Sequence, residues 1–255
     1  MKILVCIKRV PAPGARINVT SDGKAVDATH LGFTTSPHEE CAVEEAVKIS
    51  EEIGGEVTVL TLGPPEAEEQ LRYAASVGAN RLVLIPIDDV DWDSQRTAAA
   101  IVSVIKDLES SNGVFDLILF GNESADAGNF QVGVRVSHNL NRPMVNGIKS
   151  LKVEDEIINA RREVEGGFEI YKLPIPAALG IKEGINLPRY PTMKGRLASK
   201  KTEVEILKSN TPTGGQVRVN LHRPEEQVNE TLILGTGPEA ASAVVDIFEE
   251  LGIFP

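Results

Sequence analysis

Four short apolar runs, each followed by a helix-like stretch, constrain this chain more than any other feature. They lie at residues 2–8 (KILVCIK), 56–62 (with VTVLTL at its centre), 81–85 and 117–120. Runs this short and this apolar read as strands buried on both faces, the habit of a parallel sheet. Helical patterns with short connections separate them. A β-α-β-α-β-α-β-α order of this kind demands an α/β fold with a doubly wound, mostly parallel, Rossmann-like sheet. Ligands on such sheets bind beyond the strand C-terminal ends, at the topological switch point. Here those ends fall at 8–10, 62–63 and 121–122.

Local signals mark the boundaries. Pro11, Pro13 and Gly14 break the chain after the first run, and 16–32 reads as loop or a small β excursion around Asp22-Gly23. Ser36 is a good N-cap, Pro37 suits a first helical position, and Glu39 completes a capping box. Val43, Ala46, Val47 and Ser50 share one side of that helix, which Gly54-Gly55 ends. A second helix is expected over 66–77, and a third from Asp93 or Ser94 to about 109.

Residues 116–140, DLILFGNESADAGNFQVGVRVSHNL, form the candidate binding element. A strand ends at Gly121, a small polar loop follows, and Val132, Val136 and Leu140 fall on one helical face from about Phe130. Strand, polar loop and helix start together present free backbone N–H groups and a helix dipole to an anion. A nucleotide phosphate is expected on the N–H groups near Phe130, Gln131 and Val132. Taken alone, such a loop is more often an ordinary strand-to-helix turn, and it is neither GxGxxG nor the Gly-Lys-Ser/Thr phosphate loop.

After Pro143 the pattern changes. Residues 148–153 and 156–163 read as a β-hairpin, 168–173 and 177–181 as further strands, and 203–207 as a short one. Residues 187–201 carry neither period and read as an exposed loop. Residues 210–215 (NTPTGG) are the linker candidate. Residues 238–251 form an amphipathic helix with Ala241, Val244, Val245 and Phe248 on its apolar side. A lone helix cannot bury that face, so it must dock on its own domain or on another chain.

Composition excludes several classes. A net charge of −11 makes a poor general binder of nucleic acid or anionic lipid, and 4% aromatic residues give little for base stacking. Cys6 and Cys41 have no metal or CxxC spacing and read as reduced core residues of a cytoplasmic protein. The apolar run at 3–7 is too short for a signal peptide, and no run reaches the length of a membrane span. No nucleophile elbow, HExxH or metal-ligand set is present. The four scattered histidines read as structural or solvated, and most of the acidic residues as solvated helix faces. Binding or electron transfer is expected, rather than catalysis by this chain on its own.

Five stretches in order carry a resemblance. They are ILVCIKRVP at 3–11, SPHEECAVEEA at 36–46, and LTLGP at 60–64 with Arg72 and VGANR at 77–81. The other two are 116–133, and REVEGG at 162–167 with Pro176-Ala177, leading into GINLPRY at 184–190. Over about residues 1–205 the set resembles the β subunit of electron-transfer flavoprotein, with its adenine nucleotide α-hydrolase-like superfamily fold. That resemblance implies a heterodimer with an α subunit, which mainly holds the FAD, and a structural AMP in this chain. By position, AMP contacts fall at Cys6, Ser36, Pro37, His38, Glu39, Leu62, Gly121, Asn122, Glu123, Ser124, Ala125, Asp126, Ala127, Gly128, Asn129, Phe130, Gln131 and Val132. His38 stands where relatives often carry an aromatic residue near the flavin.

The resemblance also implies that 187–201 is a recognition loop, in which Met193 takes the place of the family's anchoring Leu. Leu197 is the second candidate, and Lys194 and Arg196 flank the anchor. Electrons would pass from acyl-CoA or other flavin dehydrogenases, through the FAD, to a quinone oxidoreductase or similar acceptor. The expected organisation is a nucleotide-binding domain at 1–209, and a linker and C-terminal arm at 210–255 packing on the partner subunit. Three alternatives remain. Flavin-bifurcating relatives put a second FAD in place of AMP, and their loop tends to read DGDTAQVG; DAGNFQVG at 126–133 favours AMP. A stand-alone ATP-binding stress-type protein would need a Gly-x2-Gly-x9-Gly-Ser/Thr loop. An ATP pyrophosphatase would need SGGxDS after the first strand.

Overall fold

The structure, a computed structural model, describes residues 1–87, 92–210, 215–225 and 231–253. The apolar runs form strands β1 (Lys2–Ile7), β4 (Glu56–Gly63), β5 (Arg81–Pro86) and β6 (Leu117–Gly121). Short strands β2 (Val10–Pro11) and β3 (Phe33–Thr34) pair antiparallel on either side of the stretch 16–32, in which an antiparallel bridge between Val19 and Val26 makes the small β excursion around Asp22-Gly23. Helices α1 (Pro37–Ile53), α2 (Glu68–Val77), α3 (Ser94–Asn112) and α4 (Val132–Asn139) alternate with the long strands. Later come β7 (Met144–Glu154), β8 (Ile157–Val164), β9 (Gly167–Pro174), β10 (Ala177–Ile181), α5 (Met193–Ser199), β11 (Val204–Ile206) and α6 (Ala240–Glu250).

One sheet runs in the order β11-β5-β4-β1-β6-β10-β7-β8-β9. Every pairing from β11 to β7 is parallel, and β7-β8 and β8-β9 are antiparallel. The chain runs outward from β1 through β4 to β5, then returns to β6 on the other side of β1. The switch point therefore lies between β1 and β6, as the alternation predicts. Alternate residues of β1 feed two cores. Ile3, Val5 and Ile7 pack with α1 and α2, while Leu4 and Cys6 pack with α3. Burying each large aliphatic side chain contributes about 1.5–3 kcal/mol, and Ile3, Leu4, Leu60, Leu82 and Leu117 are wholly buried.

Local chemistry sets the element ends. Ser36 Oγ accepts from the Glu39 amide, and Glu39 Oε2 accepts from the Ser36 amide at 3.0 Å, closing the capping box of α1. Asp93 Oδ1 caps α3 by accepting from the Arg96 amide at 2.8 Å. The helix expected over 66–77 divides into a 3-10 turn (Pro65–Ala67) and α2, because Pro64-Pro65 tightens its first turn. The hairpin strand expected to start at 148 starts at Met144, where its first residues pair with β10.

Two further expectations are corrected. Residues 187–201 are not all loop: Thr192 Oγ1 accepts from the Gly195 amide at 3.0 Å and starts α5. The acidic residues of α1 are not all solvated. Glu44 and Glu45 are buried, and Arg189 donates to Glu44 and Glu51 while Asn186 Nδ2 donates to Glu45.

The chain divides into two compact units, Met1–Leu221 and His222–Pro255. In the second, α6 buries none of its residues. Residues 211–214 of the expected linker lie outside the described residues. Among the described residues no helix is long and apolar enough to cross a membrane.

Candidate functional site

The strand ends at the switch point open into a cavity of about 590 Å³. Cys6, Ile7 and Lys8 enter from β1, Leu62 and Gly63 from β4, and Phe120 and Gly121 from β6. Gly121 is required by close approach: a Cβ there would lie 2.7 Å from Glu39 Cγ and 3.3 Å from His38 Cβ. That contact seats the start of α1 against the end of β6.

The loop between β6 and α4 is pinned at several points. Lys8 Nζ donates to both carboxylate oxygens of Asp126, each at 2.7 Å. Burial would raise the Asp126 carboxyl, but the Lys8 charge and hydrogen bonds from Lys8 and Ser124 hold it below the usual range. The Gly128 amide donates to Ser124 O, and Asn129 Nδ2 donates to Ser94 Oγ at 3.3 Å. Gly128 and Phe130 take left-handed backbone, at φ +55° and +54°. Those turns bring the chain to α4, which no side chain caps. Among the described residues the amides of Phe130 and Gln131 have no hydrogen-bond acceptor. Uncapped donors at a helix start suit an anion.

The walls mix apolar surface with charge. Leu62, Ile87, Ile101 and Val132 offer apolar area. The Arg9 guanidinium lies 3.4 Å from the Phe33 ring centroid. Among the described residues Arg9 Nε and Trp92 Nε1 are buried donors without an acceptor, and both residues line the cavity. Burial pushes the Glu39 carboxyl up to about 8. Burial and the neighbouring Glu39 push the Cys6 thiol up as well, so it stays protonated and unreactive.

Of the residues expected here, Cys6, Glu39, Leu62, Gly121, Asn122, Glu123, Ser124, Asp126, Ala127, Asn129, Phe130, Gln131 and Val132 all line the cavity. Ser36, Pro37, His38, Ala125 and Gly128 do not. Ser36 is wholly buried as the helix cap. His38 Nδ1 accepts from the Glu183 amide at 2.7 Å, and its Nε2 lies 3.5 Å from Glu123 Oε1. Lys8 and Arg9, at the expected strand end 8–10, line it too, whereas sequence reasoning missed Asp93, Ser94, Thr97, Asn146 and the segment 216–218. A signal existed for the α3 residues, since a helix that follows a parallel strand starts at the ligand-binding end of the sheet.

The family described as "Electron transfer flavoprotein domain" matches residues 25–212. The "Electron transfer flavoprotein subunit beta" of Bacillus subtilis is 35% identical over 209 residues, covering 81% of this chain and 79% of the relative. The protein of the same name from Thermoanaerobacterium thermosaccharolyticum is 32% identical over 209 residues, covering 81% and 78%. That from Dictyostelium discoideum is 28% identical over 221 residues, covering 86% and 85%. The chain belongs to the electron transfer flavoprotein family.

In this electron transfer flavoprotein chain the second candidate surface is α5 and the segment before it. Arg189 and Asn186 fasten that segment to α1 through Glu44, Glu45 and Glu51. Arg72 Nη1 donates to Ser199 O at 2.6 Å and holds the far end of α5. Gly195 packs so tightly on α2 that a Cβ would lie 2.2 Å from Ser76 O. On this rigid base Leu187, Tyr190, Met193 and Leu197 point outward, Met193 at 75% exposure and Leu197 at 61%. This firmly held element therefore carries four exposed apolar side chains.

Proposed function

We propose that this chain is the β subunit of an electron-transfer flavoprotein heterodimer that binds AMP structurally. In this reading its α subunit mainly holds the FAD. Acyl-CoA or other flavin dehydrogenases dock on the α5 surface, and electrons pass through the FAD to a quinone oxidoreductase or similar acceptor. The observation that carries the reading is the cavity at the β1/β6 switch point, lined by the β6–α4 loop. Its residues suit a mononucleotide. The unaccepted amides of Phe130 and Gln131 match a phosphate, and the orphaned donors of Arg9 and Trp92 match polar edges. The apolar walls match a base. Bound AMP would supply packing and charge neutralisation at the switch point, and no redox chemistry.

The exposed apolar face of α5 supports the docking role, because one anchor in a pocket can dominate a small interface. Lys194, Arg196, Lys200 and Lys201 surround it in a chain of net charge −11, which favours encounter with acidic partners. The test is to co-express the chain with an α subunit of this family and a flavin dehydrogenase. A stable FAD-containing complex that the dehydrogenase reduces is expected. Failure to form a complex, or a chain that carries electrons without the α subunit, overturns the reading.

A further inference from the structure

The nucleotide cavity has a wall that lies outside the strand-loop-helix frame. Gln216, Val217 and Arg218 line it, although they follow β11 in sequence and belong to no helix or strand. The segment is fastened on one side at the start of α3. The Gln216 amide donates to Asp93 Oδ2 at 2.8 Å, while the other oxygen of the same carboxylate caps α3. Gly215 approaches so closely that a Cβ would lie 2.5 Å from Asp93 Oδ2.

On the other side the segment is fastened to the Asp22-Gly23 turn. The Leu221 amide donates to Gly23 O at 2.7 Å, and Arg218 Nη1 donates to Lys24 O at 2.9 Å. Gly23 has φ +68°, and a Cβ there would meet Asn220 Oδ1 at 2.5 Å. Between these fastenings little is packed: Val217 is 73% exposed and Val219 is 87% exposed. Hydrogen bonds at the two ends, rather than a buried core, hold the crossing in place. Such a segment opens at a small fraction of the global unfolding free energy.

Charge indicates what the segment contributes. Lys8 is already paired with Asp126, and Arg9 is stacked on Phe33. Arg218 adds a third cationic side chain to the lining. A guanidinium carries five donors, and Lys24 O takes one of them.

We infer that residues 215–221 form a strap over the nucleotide site, that Arg218 binds the anionic part of the nucleotide, and that the nucleotide exchanges only when the strap lifts from Asp93 and Gly23. The inference rests on the nucleotide reading above. Linkage makes it reciprocal, so a ligand touching the strap stabilises its closed position.

The test uses the full chain in complex with its α subunit and radiolabelled AMP as the probe. Gln216→Pro deletes the N–H that Asp93 accepts, and Leu221→Pro deletes the one that Gly23 accepts. Each is expected to speed AMP release about tenfold, the scale of one lost hydrogen bond, larger where the acceptor is charged. Arg218→Met is expected to weaken AMP binding by a similar factor. In the wild-type complex, AMP is expected to slow hydrogen exchange at the Gln216 and Leu221 amides. That last measurement needs no variant, so a misfolded mutant does not rescue the idea. A wild-type complex that binds no AMP overturns the nucleotide reading, and this inference with it. AMP binding with exchange at both amides unchanged, or with release within about twofold of wild type in both proline variants, overturns the strap alone.

Discussion

Glu39 links the fold to the cavity, and its charge state should dominate how stability depends on pH. The side chain is buried, lines the cavity, and closes the capping box through Ser36. Burial raises its carboxyl from 4.5 to about 8. Because the folded value is the higher one, the stabilising contribution is complete below pH 4.5 and is lost as pH rises through about 8. At about 1.36 kcal/mol per pH unit, the gap between 4.5 and about 8 corresponds to roughly 4–5 kcal/mol. Dielectric relaxation and water entry reduce that figure, so about 2–4 kcal/mol is expected. Glu39→Gln cannot ionise, and its amide oxygen still accepts from the Ser36 amide, so the cap survives. Urea unfolding of the full chain, with nucleotide removed, should find variant and wild type similar near about pH 5 and the variant more stable by about 2–4 kcal/mol near about pH 8. A difference that stays constant across that range would refute the burial argument.

Gly133→Val should strip the nucleotide, because even its Cβ would lie 2.8 Å from Met144 Cε and 3.1 Å from Phe120 Cγ, on two residues that line the cavity. Gly128→Pro should do the same by forcing φ away from +55°, and mass spectrometry of heat-released ligand checks both. Cys6→Ser should change nucleotide content little, because burial keeps the thiol protonated and a hydroxyl is close to it in size. Met193→Ala should slow electron transfer from a cognate dehydrogenase about tenfold or more, about 1.4 kcal/mol, with folding and cofactor content intact. Steady-state transfer at two salt levels reads this, and unaltered rates for both Met193→Ala and Leu197→Ala would remove the docking assignment.

Much of the parallel α/β part was legible because its signals are local. Strands buried on both faces announce themselves as unbroken apolar runs, as β1 and β6 do. The cap of α1 needs only Ser36, Pro37 and Glu39, which are adjacent in sequence. What was missed depends on distant partners. Glu44 and Glu45 look like solvent-facing helix residues until Arg189 and Asn186 arrive from about 145 positions later. Helix α5 is two turns long and contains Gly195, so no apolar period could emerge, and the reason for that glycine is Ser76 on another helix. The segment 216–218 reaches the cavity by tertiary hydrogen bonds and carries no motif. Ser36, Pro37 and His38 lie at the right end of the sheet, yet Glu39 alone of the four lines the cavity, with Ser36 wholly buried in the cap and His38 engaged by Glu183 and Glu123.

The most direct test of the account is to purify the chain with its α subunit, release the bound nucleotides by heat, and count them by mass spectrometry and absorbance. One AMP and one FAD per heterodimer is the predicted result. Two FAD and no AMP, or FAD with no adenine mononucleotide at all, would contradict it.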